Sequence, residues 1–227
     1  MYPPPFTPPL PLRPVRLLAN LALGALALDC LTGLAVAVVD LREVALINRL
    51  ISDPDAVSEA EINTSDMIYA TSGYVETAVY FVAGLAFLMW MFRVRANADV
   101  LEPDGHRHRK HWLIFGWIAP ILALWFPKQI IDDIWRASRR IDQPPRSGVI
   151  IAWWTAWLLS SWVSYVVVRL IIKTDDLEGI AAAAKFDLVN LAMWMVAAAL
   201  AAAVILRITN AQETRRLAPS VEPAQPA

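Results

Sequence analysis

An acidic side chain in the middle of a long apolar run is the residue best placed to do chemistry. Asp29 lies at the centre of run 17–39. A carboxylate at the centre of a bilayer costs about 2.5–3.5 kcal/mol on insertion scales, so it should face other helices and have a partner. Hydroxyl groups at similar depth are candidate partners: Ser160, Ser161, Ser164 and Tyr80. Asp29 would carry protons or bind a cation, or it would fix helix packing as a hydrogen-bonded carboxyl.

The three histidines form a second candidate site, in the stretch Gly-His-Arg-His-Arg-Lys-His. Imidazoles this close together can bind a metal ion, and Glu102 and Asp104 stand nearby. The interleaved cations oppose metal binding because they repel the ion. We therefore interpret His106, His108 and His111 as part of a basic loop that meets anionic lipid headgroups, and we expect no metal site.

No catalytic constellation is recognisable in the sequence. It holds no glycine-rich phosphate loop, no His-Glu-x-x-His and no Gly-x-Ser-x-Gly. The single cysteine, Cys30, has no histidine beside it in its apolar run. The net charge of −1 indicates no general affinity for nucleic acid. We expect a protein that is not an enzyme and that uses no cofactor.

Four apolar runs are long enough to cross a membrane as helices: 17–39, 74–92, 149–172 and 186–206. About 20 residues are needed to span a hydrocarbon core of roughly 30 Å, and a backbone in lipid must satisfy its own hydrogen bonds. A fifth run, 112–126, is shorter, contains Gly116 and Pro120 and ends at Pro127. The sequence predicts an all-α integral membrane protein with four transmembrane helices and one short Gly/Pro-broken segment, re-entrant or half-spanning.

The distribution of Lys and Arg decides between four crossings and five. If run 112–126 enters the membrane and returns, 15 of the 20 cations lie on one side and 5 on the other. If the run crosses, the split is 10 to 10. Because cytoplasmic loops carry an excess of Lys and Arg, we predict four crossings with both termini cytoplasmic.

The flanking sequences predict arms around one helical membrane domain over 17–211. Residues 1–16 are proline-rich, and 212–227 are polar and contain three prolines, so both are expected to be disordered. Within the domain, residues 128–140 predict an amphipathic helix at the cytoplasmic interface, with an apolar face made by Ile130, Ile131, Ile134 and Trp135. The alternative is a helix packed on the rest of the protein. Ser65 or Asp66 is expected to cap the second membrane helix.

Five short motifs occur in order along the chain: Trp90-x-x-Arg93-x-Arg95-x-Asn97, Gly116-Trp117-x-x-Pro120-x-x-x-Leu124-Trp125-x-Pro127, Asp133-Ile134-Trp135-Arg136-Ala137-Ser138, Trp153-Trp154-x-x-Trp157-Leu158 and Arg207-Ile208-Thr209-x-x-Gln212. Their order and spacing resemble the domain-of-unknown-function 4328 family, multi-pass membrane proteins of high-GC Gram-positive bacteria. The resemblance runs from about Leu17 to Gln212. It implies a bacterial plasma membrane and supplies no catalytic residues, because the family has no assigned activity.

In the four-crossing arrangement all five motifs lie at the cytoplasmic interface. The candidate functional or structural residues are Asp29, Arg93, Arg95, Asn97, Gly116, Trp117, Pro120, Trp125, Pro127, Asp132, Asp133, Trp135 and Arg136. The six polar ones after Asp29 are expected to form one cluster under the broken segment.

The leading functional interpretation is a non-enzymatic scaffold or regulator of the cell envelope. Its partners would be the lipid bilayer with its anionic headgroups and a protein that reads the proline-rich arm. The rival interpretation is a small transporter or channel subunit that uses Asp29 and the broken segment Gly116–Pro120. An enzyme acting on lipids is a third possibility.

Overall fold

The structure is a computed structural model that describes residues 11–144, 146–173 and 177–218, and for 167, 168, 170–173 and 177–184 only the backbone. In these residues the chain forms helices α1 (Arg16–Ser52), α2 (Glu59–Leu101), α3 (Trp112–Ile118), α4 (Phe126–Ser138), α5 (Gly148–Lys173) and α6 (Leu177–Leu217). Short 3-10 turns occupy Pro54–Ala56 and Leu122–Leu124, and the described chain contains no strand. The predicted all-α class is confirmed.

Four helices are long and apolar enough to cross a membrane: α1, α2, α5 over Gly148–Val166 and α6 over Lys185–Leu217. They contain or overlap the four predicted runs. Large apolar side chains remain exposed along them, such as Leu31 on α1, Phe81 on α2 and Trp162 on α5. In a bilayer such side chains are stable on the outside of a helix, because lipid tails are as apolar as they are.

The second helix begins earlier than predicted. α2 starts at Glu59 rather than at Ser65 or Asp66. Ser58 Oγ accepts the backbone N–H of Glu61 at 3.2 Å, which satisfies one of the donors that a helix leaves free in its first turn. The pair Ser58 and Glu61 has the spacing of a capping box, and this signal places the helix start.

The structure differs from the arm predictions at 13–16 and at 212–217. α6 continues to Leu217, so the residues from Gln212 to Leu217 are helical, where the sequence predicted an arm from 212 onward. Residues 13–16 are hydrogen-bonded to the rest of the protein. The arm predictions for 1–10 and 219–227 lie outside the described residues.

The chain divides into two compact units. Unit 1 comprises residues 1–20, 88–147 and 205–227, and unit 2 comprises 21–87 and 148–204. Unit 1 thus contains α3, α4 and the ends of three long helices. Its core side chains are at most 1% exposed: Trp90, Met91, Val94, Leu113, Ile130, Ile134, Trp135, Ile205 and Ile208.

Unit 2 contains the longer parts of the four long helices, and these pack closely. A Cβ added at Gly33 would lie 2.8 Å from Leu191 Cδ1, so glycine lets α6 approach α1 here. Asn190 Nδ2 donates to Ser164 Oγ at 2.8 Å between α6 and α5. Near the end of α1, Arg49 Nη1 lies 2.7 Å from Glu61 Oε1 of α2.

The short run 112–126 is broken, and Pro120 causes the break. Ala119 follows α3 with an extended backbone (φ −72°, ψ 112°), the conformation that a residue before proline favours. Gly116, by contrast, is inside α3. A Cβ there would meet Phe126 Cβ at 3.3 Å, so glycine brings α3 close to the start of α4. Pro127 occupies the first turn of α4, where no N–H is needed.

The helix predicted over 128–140 is α4, and its apolar face is covered by protein. Ile130, Ile131 and Ile134 are fully buried, and Trp135 donates from Nε1 to the carbonyl of Pro144 at 3.2 Å. This face therefore packs inside unit 1 and is not available to lipid, as in the alternative of a helix packed on the rest of the protein. Amphipathic periodicity alone does not distinguish the two environments.

Candidate functional site

The chain that leads into α1 is held by Arg93, Asn97 and Glu213, and Gln212 supports Asn97 from behind. We call these four side chains the arm clamp. Asn97 brackets the backbone of Arg13, because its Oδ1 accepts the N–H at 2.9 Å and its Nδ2 donates to the carbonyl at 2.8 Å. Arg93 Nη1 donates to the carbonyl of Pro14 at 2.9 Å. The segment before α1 is thereby attached to the end of α2.

Glu213 caps the first turn of α1 from α6. Its Oε1 accepts the backbone N–H of Val15 at 2.6 Å and that of Arg16 at 3.2 Å. Its Oε2 accepts a hydrogen bond from Arg216 Nε at 2.8 Å. The first N–H groups of a helix have no partner inside the helix, and the positive end of its dipole favours a carboxylate. The N-terminus of α1 is therefore stabilised by a residue 198 positions later in the chain.

Gln212 joins the arm clamp to α4. It is fully buried and accepts a hydrogen bond from Asn97 Nδ2 at 3.0 Å. Its Nε2 donates to the carbonyl of Val94 at 2.9 Å and to Ser138 Oγ at 2.8 Å. A buried amide whose groups are engaged in this way favours one arrangement of α2, α4 and α6.

The loop between α2 and α3 is held by five other side chains, which we call the loop network: Arg95, Asp99, Arg107, Asp133 and Arg136. Asp133 is 0% exposed and accepts hydrogen bonds from the backbone N–H and the Nε of Arg107, both at 2.9 Å. Arg136 donates to the carbonyl of Gly105. A carboxylate buried this deeply is stable only when charged partners and donors surround it.

Two residues of the loop network that lie on α2, Arg95 and Asp99, hold the part of the loop nearest to α3. Arg95 donates from Nε to Asp99 Oδ1 at 2.8 Å and from Nη2 to the carbonyl of His108 at 3.1 Å. Lys110 Nζ lies 3.1 Å from Asp99 Oδ2. The loop network as a whole therefore holds residues 105–110 between α2 and α4.

Two of the histidines, His106 and His108, make contacts that support this loop. The side chain of His106 is 3% exposed, with Nε2 3.3 Å from Asp99 Oδ1. Burial, reinforced by the charge of Arg95, lowers the pKa of His106 below its ordinary value of 6.5. His108 Nε2 lies 2.7 Å from Gln129 Oε1. In the described residues no three His, Cys, Asp or Glu side chains are placed to hold one ion.

The six polar residues that were expected to form one cluster lie in three groups. Arg95, Asp133 and Arg136 belong to the loop network, whereas Arg93 and Asn97 belong to the arm clamp. Asp132 pairs with Lys128 on the same helix, 2.6 Å away.

The other unit 1 candidates lie around the broken segment and α4. Gly116 and Trp117 are in α3, Pro120 follows the break and Trp125 precedes α4, with Pro127 and Trp135 inside α4.

Of the arm clamp, the sequence did not indicate Glu213, and Gln212 occurs only as the last residue of the fifth motif and not among the candidate residues. The sequence contains a pattern that indicates a buried position for Gln212. Ile205, Ile208, Thr209 and Gln212 recur at helical spacing, so polar side chains share the buried face of α6. Trp90 Nε1 donates to Thr209 Oγ1 at 3.0 Å. A polar residue on an apolar stripe predicts a buried hydrogen bond.

Asp29 lies in unit 2, and the other candidates lie in unit 1. It is 4% exposed, and its Oδ2 accepts a hydrogen bond from Trp194 Nε1 at 2.7 Å. The structure therefore pairs Asp29 with Trp194, not with the hydroxyl groups suggested by depth. Ser160 and Ser164 bond elsewhere, to the carbonyl of Trp157 and to Asn190.

The two units differ sharply in charge. Unit 1 contains 15 Lys and Arg against 8 Asp and Glu, a net charge of +7. Unit 2 contains 5 Lys and Arg against 13 Asp and Glu, a net charge of −8. The boundaries follow spatial proximity alone, yet they separate the cations into the same 15 and 5 that the four-crossing arrangement predicts.

Comparisons with known proteins identify one family. The chain matches no curated protein and no solved structure. The sequence pattern of a domain of unknown function (DUF4328) matches residues 53–210. The match begins after α1, so it starts later than the predicted resemblance from Leu17, and it contains four of the five motifs and most of the fifth. The chain belongs to the DUF4328 family.

Proposed function

We propose that this protein is a multi-pass plasma-membrane scaffold with four crossings, both termini in the cytoplasm and no enzymatic activity. The observation that carries the proposal is the segregation of charge, with +7 in unit 1 and −8 in unit 2. Cytoplasmic segments near membrane helices are enriched in Lys and Arg. The excess of cations in unit 1 supports a cytoplasmic position for it.

The geometry of run 112–126 supports four crossings rather than five. The rings of Trp112 and Phe126, at its two ends, are 5.0 Å apart and meet edge to face. A helix that crosses a hydrocarbon core separates its ends by roughly 30 Å. A segment whose ends touch enters and leaves on the same side, as a re-entrant segment does.

The polar residues of unit 1 support a structural role. The side chains of the arm clamp and the loop network are directed to backbone groups and to one another. They fasten the N-terminal segment, the loop before α3 and the end of α4 into one body. We infer that this body holds the proline-rich arm at a fixed exit, where a partner with an aromatic-lined groove binds the arm in its extended polyproline form.

The test places a photo-reactive residue at Leu12, next to the clamped Arg13, in native membranes. We expect crosslinks to one reproducible protein, and we expect them to disappear when the prolines at positions 3, 4, 5, 8 and 9 are replaced by alanine. Arg140→Gln, an exposed change elsewhere in unit 1, serves as control and should leave the crosslink unchanged. Crosslinks that survive the proline replacements would reject the arm as the docking segment.

Transport is the second candidate function, because a buried carboxylate lies in a helix apolar enough to cross a membrane. Such residues often mark proton or cation pathways. The hydrogen bond from Trp194 gives Asp29 a packing role as well. Flux measurements on proteoliposomes distinguish the transport role of Asp29 from its packing role. If the wild type conducts protons or cations and Asp29→Asn folds normally but does not, transport is favoured over the scaffold.

A further inference from the structure

The broken segment presents an apolar surface that unit 1 does not cover. On α3, Leu113 and Gly116 are buried, whereas Ile114, Phe115 and Ile118 are exposed on the opposite side. At about 100° per residue these three occupy one face of the helix. The surface continues past the break with exposed side chains at Ile121, Leu124 and Trp125. Ile118 and Ile121 are 68% and 69% exposed.

Cations adjoin this surface at the start of α3. The carbonyls of Arg109 and Lys110 accept the backbone N–H groups of Trp112 and Leu113 at 3.0 and 3.1 Å, so both residues lie in the turn that leads directly into α3. The side chain of Lys110 is 68% exposed, although it pairs with Asp99. Arg109 is exposed and makes no salt bridge within the described residues.

We propose that the exposed face of 112–126 is a wedge that inserts into one leaflet of the bilayer and that Arg109 and Lys110 bind anionic phospholipid headgroups at its rim. The inference rests on the proposed topology for its cytoplasmic side. An exposed apolar patch rimmed by cations matches the chemistry of an anionic leaflet, which offers acyl chains below negative phosphates.

The dimensions of the segment suit one leaflet. The seven residues of α3 rise about 10 Å, less than half of a core of roughly 30 Å. Trp112 and Trp125 stand at its two ends, where tryptophan favours the interface. The lipid-contacting element is therefore the broken segment and not the apolar face of α4, which is buried in unit 1.

Insertion depth is the first test, with full-length protein in nanodiscs. In a Cys30→Ser background, an environment-sensitive fluorophore is attached at Ile118→Cys, with Ile141→Cys (97% exposed) as the aqueous control and Leu31→Cys on α1 as the lipid control. We expect spin-labelled acyl chains to quench the Ile118 label and dissolved iodide to quench the Ile141 label.

Other quenching results distinguish a failure of the wedge from a failure of the proposed membrane architecture. Iodide quenching of the Ile118 label, or protection from both quenchers, would overturn the wedge in favour of a water-facing or protein-covered surface. If the Leu31 label is also quenched by iodide, the membrane architecture itself fails. A lipid-quenched Leu31 label beside a water-quenched Ile118 label removes the wedge alone and leaves the scaffold intact.

Lipid preference is the second test. Nanodiscs of phosphatidylcholine mixed with phosphatidylglycerol are compared by the ratio of the two lipids retained on the purified protein. We expect Arg109→Gln to lower phosphatidylglycerol retention about fivefold, the effect of about 1 kcal/mol for one cation at an anionic surface. Arg140→Gln should leave the ratio unchanged. Equal losses in both variants, or none, would contradict a headgroup site at the start of α3.

Discussion

Glu213 joins the start of α1 to the end of α6 through a single carboxylate. One oxygen accepts two backbone N–H groups of the first turn of α1, and the other accepts from Arg216. Asn97 and Arg93 hold the two residues before that turn. At the scale of single residues, the arm clamp thus replaces the local cap that α1 lacks, since Val15 has no side-chain oxygen.

We predict that Glu213→Ala frees the segment before α1. Loss of a cap costs about 0.5–2 kcal/mol, so the amides of Val15 and Arg16 should exchange hydrogen roughly 2- to 30-fold faster. Arg216→Gln is the matched control, because it removes the ion pair and keeps both backbone bonds. Hydrogen exchange by mass spectrometry measures the difference, and equal exchange in Glu213→Ala and wild type would refute the cap.

For the buried carboxylate of α1 we predict a modest coupling between Asp29 and Trp194. Hydrogen bonds between membrane helices average about 0.6 kcal/mol in double-mutant cycles, with a maximum near 1.7. The cycle uses Asp29→Leu, Trp194→Phe and the double variant, with unfolding followed in mixed micelles. Asp29→Asn, which keeps an acceptor oxygen, should lose less stability than Asp29→Leu; the reverse order would argue against a packing role.

A pH dependence follows from His106. Its pKa is lower in the folded protein than the ordinary 6.5, so below this pH the unfolded chain binds a proton that the folded state resists. The free energy of unfolding should therefore fall as pH drops from 6.5 toward the lower folded-state pKa, by up to about 1.4 kcal/mol for each unit of depression. His106→Gln should flatten this part of the pH profile of Tm, and an unchanged slope would exclude His106 as its source.

At the scale of elements, the broken segment depends on the close approach of α3 to Phe126. Gly116→Leu should displace α3 and destabilise unit 1 by about 1–3 kcal/mol, as overpacking does. Gly116→Ala should be nearly neutral, because better helix propensity offsets the tight 3.3 Å contact.

Gly84→Leu is the control for this pair, since a Cβ at Gly84 meets nothing within 4 Å. Thermal unfolding of the three variants should leave Gly84→Leu closest to wild type. If both leucine variants unfold alike, the contact with Phe126 is unimportant.

The elements that the sequence predicts well are those set by length and composition. The four long helices follow from apolar runs that must satisfy their own backbone in lipid, and the break at Pro120 follows from backbone sterics. The early start of α2 was predictable too, from Ser58 and Glu61. The burial of the apolar face of α4 was not predictable, because an apolar face has the same sequence pattern whether it meets lipid or protein.

The pairing inside the candidate site could not be deduced. Glu213 meets Val15 across 198 positions, and Asn97 meets Arg13 across 84. These bonds join side chains to backbone groups. Because nearly every residue carries the same backbone groups, the sequence does not indicate which of them a side chain will bind. The sequence does show polar residues on an otherwise apolar face of α6. This pattern predicts that they make buried hydrogen bonds, but it does not identify the bonded groups.

At the scale of the whole molecule, the two compact units also differ in the sign of their net charge. Unit 1, with a net charge of +7, contains the broken segment and the arm clamp, while unit 2, at −8, contains Asp29 and the loop between α1 and α2. Four crossings place residues 139–147 on the opposite side of the membrane from 53–58. Five crossings would place both on the same side.

Single-cysteine labelling in sealed vesicles tests this most directly. In a Cys30→Ser background, Ile141→Cys and Ile51→Cys are exposed to a membrane-impermeant maleimide in right-side-out and inside-out vesicles. We predict that Ile141→Cys is labelled only in inside-out vesicles and Ile51→Cys only in right-side-out ones. Labelling of both positions in the same orientation would contradict the four-crossing topology and, with it, the cytoplasmic position of unit 1.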